Sequence, residues 1–253
     1  MVPPIALALA KHPAVDERDL SSIKTLMSGA APLGAELADK VAKRLDCNVV
    51  QGYGMTETSP VTHLIRPDGE NRAGSIGREL ADTECRIVDV ESGEDAPEGE
   101  RGELWIRGPQ VMAGYLNNEE ATAATIDSEG WLHTGDIAMR DADGFYFIVD
   151  RLKELIKYKG FQVPPAELEA ILINHPEVAD CAVIGVPDEN AGEIPKAFVV
   201  PAGDGDLDHD ALMAHVAEQV SPQKKVRLLE EIDEIPKSAS GKILRRVLMD
   251  REN

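Results

Sequence analysis

Three patterns of secondary structure follow one another along this sequence of 253 residues, and their order constrains the fold more than any single residue does. The first pattern is a short apolar run (23–27), a loop, an amphipathic helix (33–47) and a second apolar run (48–51). A strand, a helix and a strand in this order predict a parallel α/β layer.

The middle of the chain differs. Residues 84–90, 102–107 and 145–149 alternate apolar and polar side chains or are short and β-branched, and stretches rich in Gly, Pro, Asp and Glu separate them. This pattern predicts a small antiparallel sheet or barrel.

After residue 150 the pattern changes to that of a small α+β domain. Pro164 and Pro165 open a helix that we expect to run to Asn174, because proline is tolerated in the first helical turn. Strands are predicted at 178–186 and 197–200, and Asp208 is expected to cap a final helix. The predicted fold class is therefore α/β, with a small β-barrel, followed by α+β.

The charge of the chain argues against two classes of partner. With 26 basic and 46 acidic side chains the net charge is −20, which disfavours binding to nucleic acids and to anionic membranes because both present phosphates. The apolar opening (2–10) is too short to span a bilayer and is predicted to belong to the fold. Three widely spaced cysteines form neither a zinc motif nor a disulfide framework, which predicts a reducing, cytoplasmic location.

Common motifs explain little of the remaining sequence. Gly52-Tyr53-Gly54 does not continue into a dinucleotide-binding loop, and Ser240-Gly241-Lys242 lacks the rest of a Walker loop. The aspartates at alternate positions from 204 to 210 do not have the spacing of a calcium loop. Five polar clusters stand out instead: SGAAPLG (28–34), QGYGMTET (51–58), GWLHTGD (130–136), DRLKELIKYKGFQVPPAELE (150–169) and PKSASGKILRR (236–246).

Taken together and in this order, the five clusters resemble the adenylate-forming acyl-CoA synthetases, and in particular the branch of 4-coumarate–CoA ligases and luciferases. The resemblance implies that a carboxylic acid, aryl or fatty, is joined to AMP with ATP and Mg²⁺ and then transferred to the thiol of coenzyme A. It also implies that residues 1–150 are the C-terminal portion of a large AMP-binding domain. Residues 151–253 would be its small mobile lid, with the hinge at Lys153.

The resemblance assigns the nucleotide site to the first four clusters. Asp136 would accept hydrogen bonds from both ribose hydroxyls, and Arg151 would add a second ribose contact. Thr56 would bond the α-phosphate, and Glu57 would supply the hard oxygen ligand that Mg²⁺ prefers. The adenine and acyl slots would be lined by Gly29, Ala30, Ala31, Pro32, Gln51, Gly52, Tyr53, Gly54 and Met55, with Gly52, Pro60 and Val61 in the acyl pocket.

The resemblance assigns the reacting groups to the lid. Lys242 would bridge the attacking carboxylate and the α-phosphate, where charge accumulates in the transition state. Lys157 and Gln162 would act in adenylate formation. Lys159, Gly160 and Phe161 would line the pantetheine tunnel once the lid has rotated.

Simpler structural explanations exist for single residues. Thr56 and Glu57 are also typical of a helix start, Asp136 of a turn, and Lys242 of an exposed basic tail beside Arg245 and Arg246.

One expected part of the family pattern is missing. The phosphate loop, a Ser/Thr/Gly-rich stretch ending in Pro-Lys-Gly, does not occur in the 253 residues, so we expect a missing N-terminal half and little or no ligase activity of the isolated chain. Three alternatives remain open: a non-catalytic remnant or subunit that keeps a nucleotide or partner site, a luciferase-like oxidative enzyme, and an enzyme that acylates a carrier protein.

Overall fold

The computed structural model describes five stretches of the chain: residues 1–31, 33–67, 69–203, 207–238 and 241–252. They belong to two compact units, Met1–Val149 (unit 1) and Asp150–Asn253 (unit 2).

In unit 1 the helices and strands are α1 (Pro3–Lys11), β1 (Thr25–Ser28), α2 (Ala35–Leu45), β2 (Asn48–Gly54), β3 (Val61–Leu64), β4 (Arg78–Glu79), β5 (Glu84–Val88), β6 (Gly102–Arg107), α3 (Glu119–Thr125), β7 (Leu132–Arg140) and β8 (Tyr146–Arg151), whose last two residues belong to unit 2. In unit 2 they are β9 (Ile156–Tyr158), β10 (Phe161–Val163), α4 (Pro165–Leu172), β11 (Val178–Asp188), β12 (Gly192–Pro201), α5 (His209–Ala217), β13 (Leu228–Glu231) and α6 (Arg245–Met249).

The first layer of unit 1 is the predicted parallel one. Strands β1 and β2 pair in parallel, and β3 and β4 extend the sheet with antiparallel pairings. Leu37 and Val41 on the apolar face of α2 pack with Val49 of β2 and with Ala6 of α1. The apolar opening of the chain is therefore part of the fold, as expected. Among the described residues, no helix has the length and apolar character needed to cross a lipid bilayer.

The second sheet of unit 1 confirms the predicted antiparallel arrangement but does not close into a barrel. Its strand order is β5-β6-β7-β8. Closure would require the edge strands β5 and β8 to bond to each other. At Tyr146 the backbone of β8 is instead bonded to the segment before β4, since its carbonyl accepts from Ile76 N at 2.8 Å and its N–H donates to Gly77 O at 3.0 Å.

Unit 2 is built around one mixed sheet that is covered on both faces. The strand order is β10-β9-β12-β11, with β13 parallel to β12. Side chains alternate along β12. Val199 packs with Leu168 of α4 and Leu212 of α5, whereas Phe198 packs with Leu248 of α6. The helix that Asp208 caps is confirmed as α5, because the carboxylate accepts from Ala211 N at 2.9 Å. Asp204 and Asp206 lie outside the described residues.

A buried histidine joins the two sheets of unit 1. His63 on β3 is fully buried, and its ring meets the edge of Tyr53 on β2 and of Tyr146 on β8, at centroid distances of 5.8 and 4.6 Å. Its Nδ1 lies 3.0 Å from Thr62 Oγ1. Burial lowers the pKa of His63 from 6.5 to about 3, so the ring is neutral at physiological pH.

The pKa of His63 makes the stability of unit 1 depend on pH. Unfolded chains bind a proton at this histidine below pH 6.5, while folded chains do not until about pH 3, so stability is lost as the pH falls through this window. Between about pH 7 and 5 we expect a loss of about 2 kcal/mol at ~1.4 kcal/mol per pH unit. Denaturant melts followed by tryptophan fluorescence measure this loss, because Trp105 and Trp131 both lie in unit 1.

The matched variants are His63→Gln, which cannot titrate, and His12→Gln, which replaces an exposed histidine of the same unit. The acid-dependent loss should shrink by about 2 kcal/mol in His63→Gln and stay at the wild-type size in His12→Gln. Equal pH dependence in all three proteins would contradict the assignment.

Candidate functional site

The parallel pairing of β1 and β2 brings the first two predicted clusters together. Ser28 at the end of β1 lies opposite Gln51, so the loop after β1 and the second half of β2 occupy the same edge of the sheet. A Cβ added at Gly29 would lie 3.6 Å from the carbonyl oxygen of Gly52. The alanine that follows, Ala30, has a φ of +70°, a strained conformation for a residue with a side chain. Pro32 lies outside the described residues.

The side chain of Gln51 is hydrogen-bonded to the backbone before α2. Its side chain is buried, and its Oε1 accepts from Leu33 N at 3.1 Å, which ties β2 to the residues before α2. The bond therefore links the first predicted cluster, which contains Leu33, to the second, which contains Gln51.

The residues predicted for the acyl pocket are neighbours in the β2–β3 pairing. Gly54 lies opposite Val61, and a Cβ at Gly54 would come within 1.7 Å of the Pro60 carbonyl oxygen, which only glycine allows. That oxygen also accepts from Met55 N at 2.9 Å and from Thr58 Oγ1 at 2.7 Å. The turn between the strands is therefore closely bonded.

Thr56 and Glu57 belong to a single 3₁₀ turn, Thr56–Thr58, so the helix-start explanation holds for their backbone. Thr56 is exposed. The Glu57 carboxylate has a partner that the sequence did not suggest: Tyr115 donates its hydroxyl proton to Glu57 Oε1 at 2.8 Å. This bond raises the pKa of Tyr115.

Asp136 lies in a strand and not in the expected turn. Leu104 of β6 faces three residues of β7, because Glu103 pairs with Ile137 and Trp105 with His133. Gly135, with a φ of +69°, makes this bulge possible, and its N–H donates to Glu103 Oε1 at 2.8 Å. The HTGD segment, whose residues are typical of turns, therefore forms a bulge in a long strand.

The bulge places Asp136 beside the β2 cluster. The carboxylate is buried, and Tyr53 donates its hydroxyl proton to Asp136 Oδ2 at 2.5 Å across 83 residues of sequence. The predicted adenine-side tyrosine and the predicted ribose ligand are thus in direct contact, a relation that no local sequence signal contains.

The predicted residues of unit 2 fall into two groups. Lys157 and Gln162 lie opposite each other in the β9–β10 hairpin and share one face of it. Both central residues of its two-residue turn, Lys159 and Gly160, have positive φ values of 48° and 83°, as a type I′ turn requires. Phe161 follows the turn and is 53% exposed.

The remaining residues of this unit lie at its two chain ends. Arg151, the last residue of β8, and Lys153, in the turn that follows, are both exposed. Lys242 is exposed on a loop near the C-terminus, where its N–H donates to Ser238 Oγ at 3.1 Å and its carbonyl accepts from Ser238 N at 2.8 Å. Ser240 lies outside the described residues.

Within the described ranges, no three side chains of the His, Cys, Asp or Glu type gather into a metal-binding group. Glu57, the residue predicted to bind a metal, offers one carboxylate. A single carboxylate suits Mg²⁺, because this ion is commonly held by one or two carboxylates together with water and substrate phosphates. A resident metal centre built only of protein ligands does not fit the described residues.

Two profiles of known protein families match the chain. The sequence profile of the AMP-binding enzyme family matches residues 1–116, and the profile described as "AMP-binding enzyme C-terminal domain" matches residues 167–242. The chain is 52% identical over 252 residues to 4-coumarate–CoA ligase 2 of Nicotiana tabacum, covering 98% of this chain and 46% of that protein. It is also 52% identical to 4-coumarate–CoA ligase 2 of Oryza sativa subsp. japonica, with coverages of 98% and 44%.

Solved structures of related enzymes share the fold of this chain. The anthranilate–CoA ligase AuaEII in complex with anthranoyl-AMP superposes with a TM-score of 0.92 at 32% identity, over 100% of this chain and 49% of that one. ATP-bound MatB from Rhodopseudomonas palustris gives 0.89 at 29% identity over 99% and 50%. The amide bond synthetase McbA from Marinactinospora thermotolerans gives 0.88 at 33% over 99% and 51%. The chain spans about half the length of these relatives.

The two tyrosine–carboxylate bonds of unit 1 differ in burial, which allows a matched test. Replacing Tyr53 with phenylalanine leaves a buried carboxylate without this donor and should lower the free energy of unfolding by about 2 kcal/mol. Replacing Tyr115, whose partner is at the surface, should cost less than about 0.5 kcal/mol. Denaturant melts followed by tryptophan fluorescence compare the two variants, and equal losses would contradict the assigned difference.

Proposed function

Because the chain belongs to the AMP-binding enzyme family, we propose that it carries the ribose-binding, acyl-binding and lid segments of an acyl-CoA ligase. The observation that carries this proposal is the 52% identity with a 4-coumarate–CoA ligase across 98% of the chain. The proposed reaction has two steps. A carboxylate oxygen attacks the α-phosphorus of ATP and pyrophosphate leaves. The thiol sulfur of coenzyme A then attacks the acyl carbon, giving up its proton, and AMP leaves.

The contacts of unit 1 support the nucleotide part of this proposal. Asp136 is buried beside Tyr53, so ribose hydroxyls bound there would share its carboxylate with the phenol. Thr56, exposed in the 3₁₀ turn after β2, would donate to the α-phosphate. Glu57 would hold Mg²⁺, which neutralises phosphate charge when bound, and Tyr115 would orient this carboxylate.

The acyl group would lie against Gly52, Pro60 and Val61, whose small or apolar side chains suit an aryl or alkyl acid. The relatives include both CoA ligases and an amide bond synthetase, so the acceptor of the acyl group has to be identified by assay.

The exposed cations of unit 2 support the second part. Lys242 would stabilise the charge between carboxylate and α-phosphate, and Lys157 with Gln162 would assist from one face of the hairpin. Lys159, Gly160 and Phe161 at the hairpin tip would contact pantetheine. Units 1 and 2 would be the large domain and the lid, with Lys153 as the hinge. The three cysteines are free thiols, which supports the cytoplasmic location proposed for the enzyme.

The chain alone should not exchange pyrophosphate with ATP. The proposed function is therefore tested in a chimera, with Lys242→Ala as the main variant. A chimera with the N-terminal half of the Nicotiana tabacum relative should release AMP with an aryl or fatty acid and coenzyme A. In this chimera, loss of the ammonium should lower kcat for adenylate formation by about 10²–10³-fold, while KM for ATP changes by less than about three-fold.

The matched control is Arg246→Ala, which removes an exposed cation near Lys242 in the sequence and should keep wild-type rates. An equal effect of Lys242→Ala on kcat and on ATP binding would contradict the role given to Lys242. A chimera that binds ATP but releases no AMP with any acid would favour the non-catalytic alternative. A panel of carboxylic acids with coenzyme A, a carrier protein or an amine as acceptor identifies the reaction.

A further inference from the structure

Unit 2 contains a buried ionic cluster that the proposed reaction does not use. The guanidinium of Arg245, at the start of α6, lies between two carboxylates: its Nη2 donates to Glu169 Oε2 at 2.9 Å, and its Nε is 3.0 Å from Glu154 Oε2, an ion pair without the alignment of a hydrogen bond. The Arg245 side chain is only 12% exposed. Arg246, the next residue, is exposed, so the two neighbouring arginines have different environments.

The two carboxylates belong to different parts of the unit. Glu169 lies on α4, and its second oxygen accepts from Val183 N of β11 at 2.8 Å, so the sheet and the helix together fix its position. Glu154 lies in the turn that begins unit 2, in which Glu154 N and Leu155 N both donate to the Arg151 carbonyl. Arg245 therefore connects this first turn with the centre of the unit.

Lys242 lies in the segment before Arg245, of which the structure describes residues 237–238 and 241–244; we name these described residues the 237–244 loop. Lys237 and Ile243 form an isolated bridge, and Leu244 N donates to Pro236 O at 2.8 Å. The loop is held at its first end by the ion pair of Lys237 with Asp180 on β11. Arg245 holds the other end. The exposed lysine thus lies between two cations that are both anchored on carboxylates.

We propose that Arg245 is a positioning residue for Lys242, which fixes the 237–244 loop to the first turn of unit 2 and to α4. This inference rests on the proposed function, because it concerns the lysine that the proposed reaction employs. A displacement of about 1 Å at a reacting group can cost roughly 10²-fold in rate, so a loop that carries a catalytic cation needs a rigid attachment. The fork of arginine can contact two carboxylates at once, which the single ammonium of lysine does less well.

The charge state of the cluster sets the conditions of the test. Burial raises the pKa of Glu169 to about 7, and the charge of Arg245 opposes this shift. Burial also raises the pKa of Asp150, a third carboxyl group on which the charge of Arg245 acts. Measurements at about pH 8.5 keep both carboxylates ionised.

Hydrogen exchange of the 253-residue chain tests the attachment. In Arg245→Gln, the amides of the 237–244 loop should exchange at least about ten-fold faster, while the amides shared by β11 and β12 keep their wild-type rates. Arg246→Gln, the matched control, should exchange like the wild type. Unchanged exchange in the loop would overturn the proposal. So would an equal acceleration in loop and sheet, because this would show only a general loss of stability.

A milder pair of variants keeps the test decisive if Arg245→Gln does not fold. Glu154→Gln removes one of the two contacts of Arg245, and Glu167→Gln removes an ion pair with Lys224. Glu154 and Glu167 have the same exposure, 34%. Faster exchange of the 237–244 loop in Glu154→Gln but not in Glu167→Gln supports the proposal, and equal behaviour of the two variants overturns it.

The catalytic consequence is measured in the active chimera. Arg245→Gln should lower kcat for adenylate formation by about ten- to 100-fold with KM for ATP unchanged, and Arg245→Lys should recover part of the loss. A wild-type kcat in Arg245→Gln would overturn the positioning role. If Lys242→Ala is itself without effect, the proposed function fails, whereas the exchange result still decides the attachment of the loop.

Discussion

The hydrogen bond between the Tyr53 hydroxyl and the buried Asp136 carboxylate joins the two sheets of unit 1. A buried carboxyl group of this kind needs a hydrogen-bond partner, because removing a polar group from water without one is costly. The bond depends on features around it: the parallel pairing that places Gln51 beside Ser28, the bulge in β7, and the buried His63 ring against Tyr53. The proposed nucleotide site is thus a consequence of how the sheets are joined.

The basic side chains of this acidic chain fall into two groups by position. Arg151, Lys157, Lys159 and Lys242, which the proposed function assigns to ATP and coenzyme A, are exposed. Other cations stabilise the fold: Arg227 lies 3.7 Å from the ring centroid of Tyr158, and Arg245 pairs with carboxylates in the interior. Since ATP and coenzyme A are polyanions, the four exposed cations would have to provide local positive potential on a chain of net charge −20.

Much of the fold was predictable because local patterns agree with tertiary structure there. The amphipathic helix became α2, the two apolar runs around it became the parallel pair β1 and β2, and the proline pair opens α4. The β7 strand was missed, because Thr134 and Gly135 are typical of turns and only pairing with β6 makes them a bulge. Two further contacts were missed: Tyr115 as the partner of Glu57, and His63 as the buried ring between the two sheets of unit 1. Their partners are distant in sequence, and a single tyrosine or histidine gives no periodic signal.

The sequence by itself determined the order of the strands and helices and the five segments shared with the AMP-binding enzymes, because these depend on local composition and on motif spacing. Only the tertiary structure decided which charged side chains are buried. Arg245 and Arg246 are identical neighbours, yet the first lies between Glu154 and Glu169 and the second faces solvent. The difference arises because the start of α6 presents one of them to carboxylates on α4 and on the first turn of the unit, elements that are far away in the sequence.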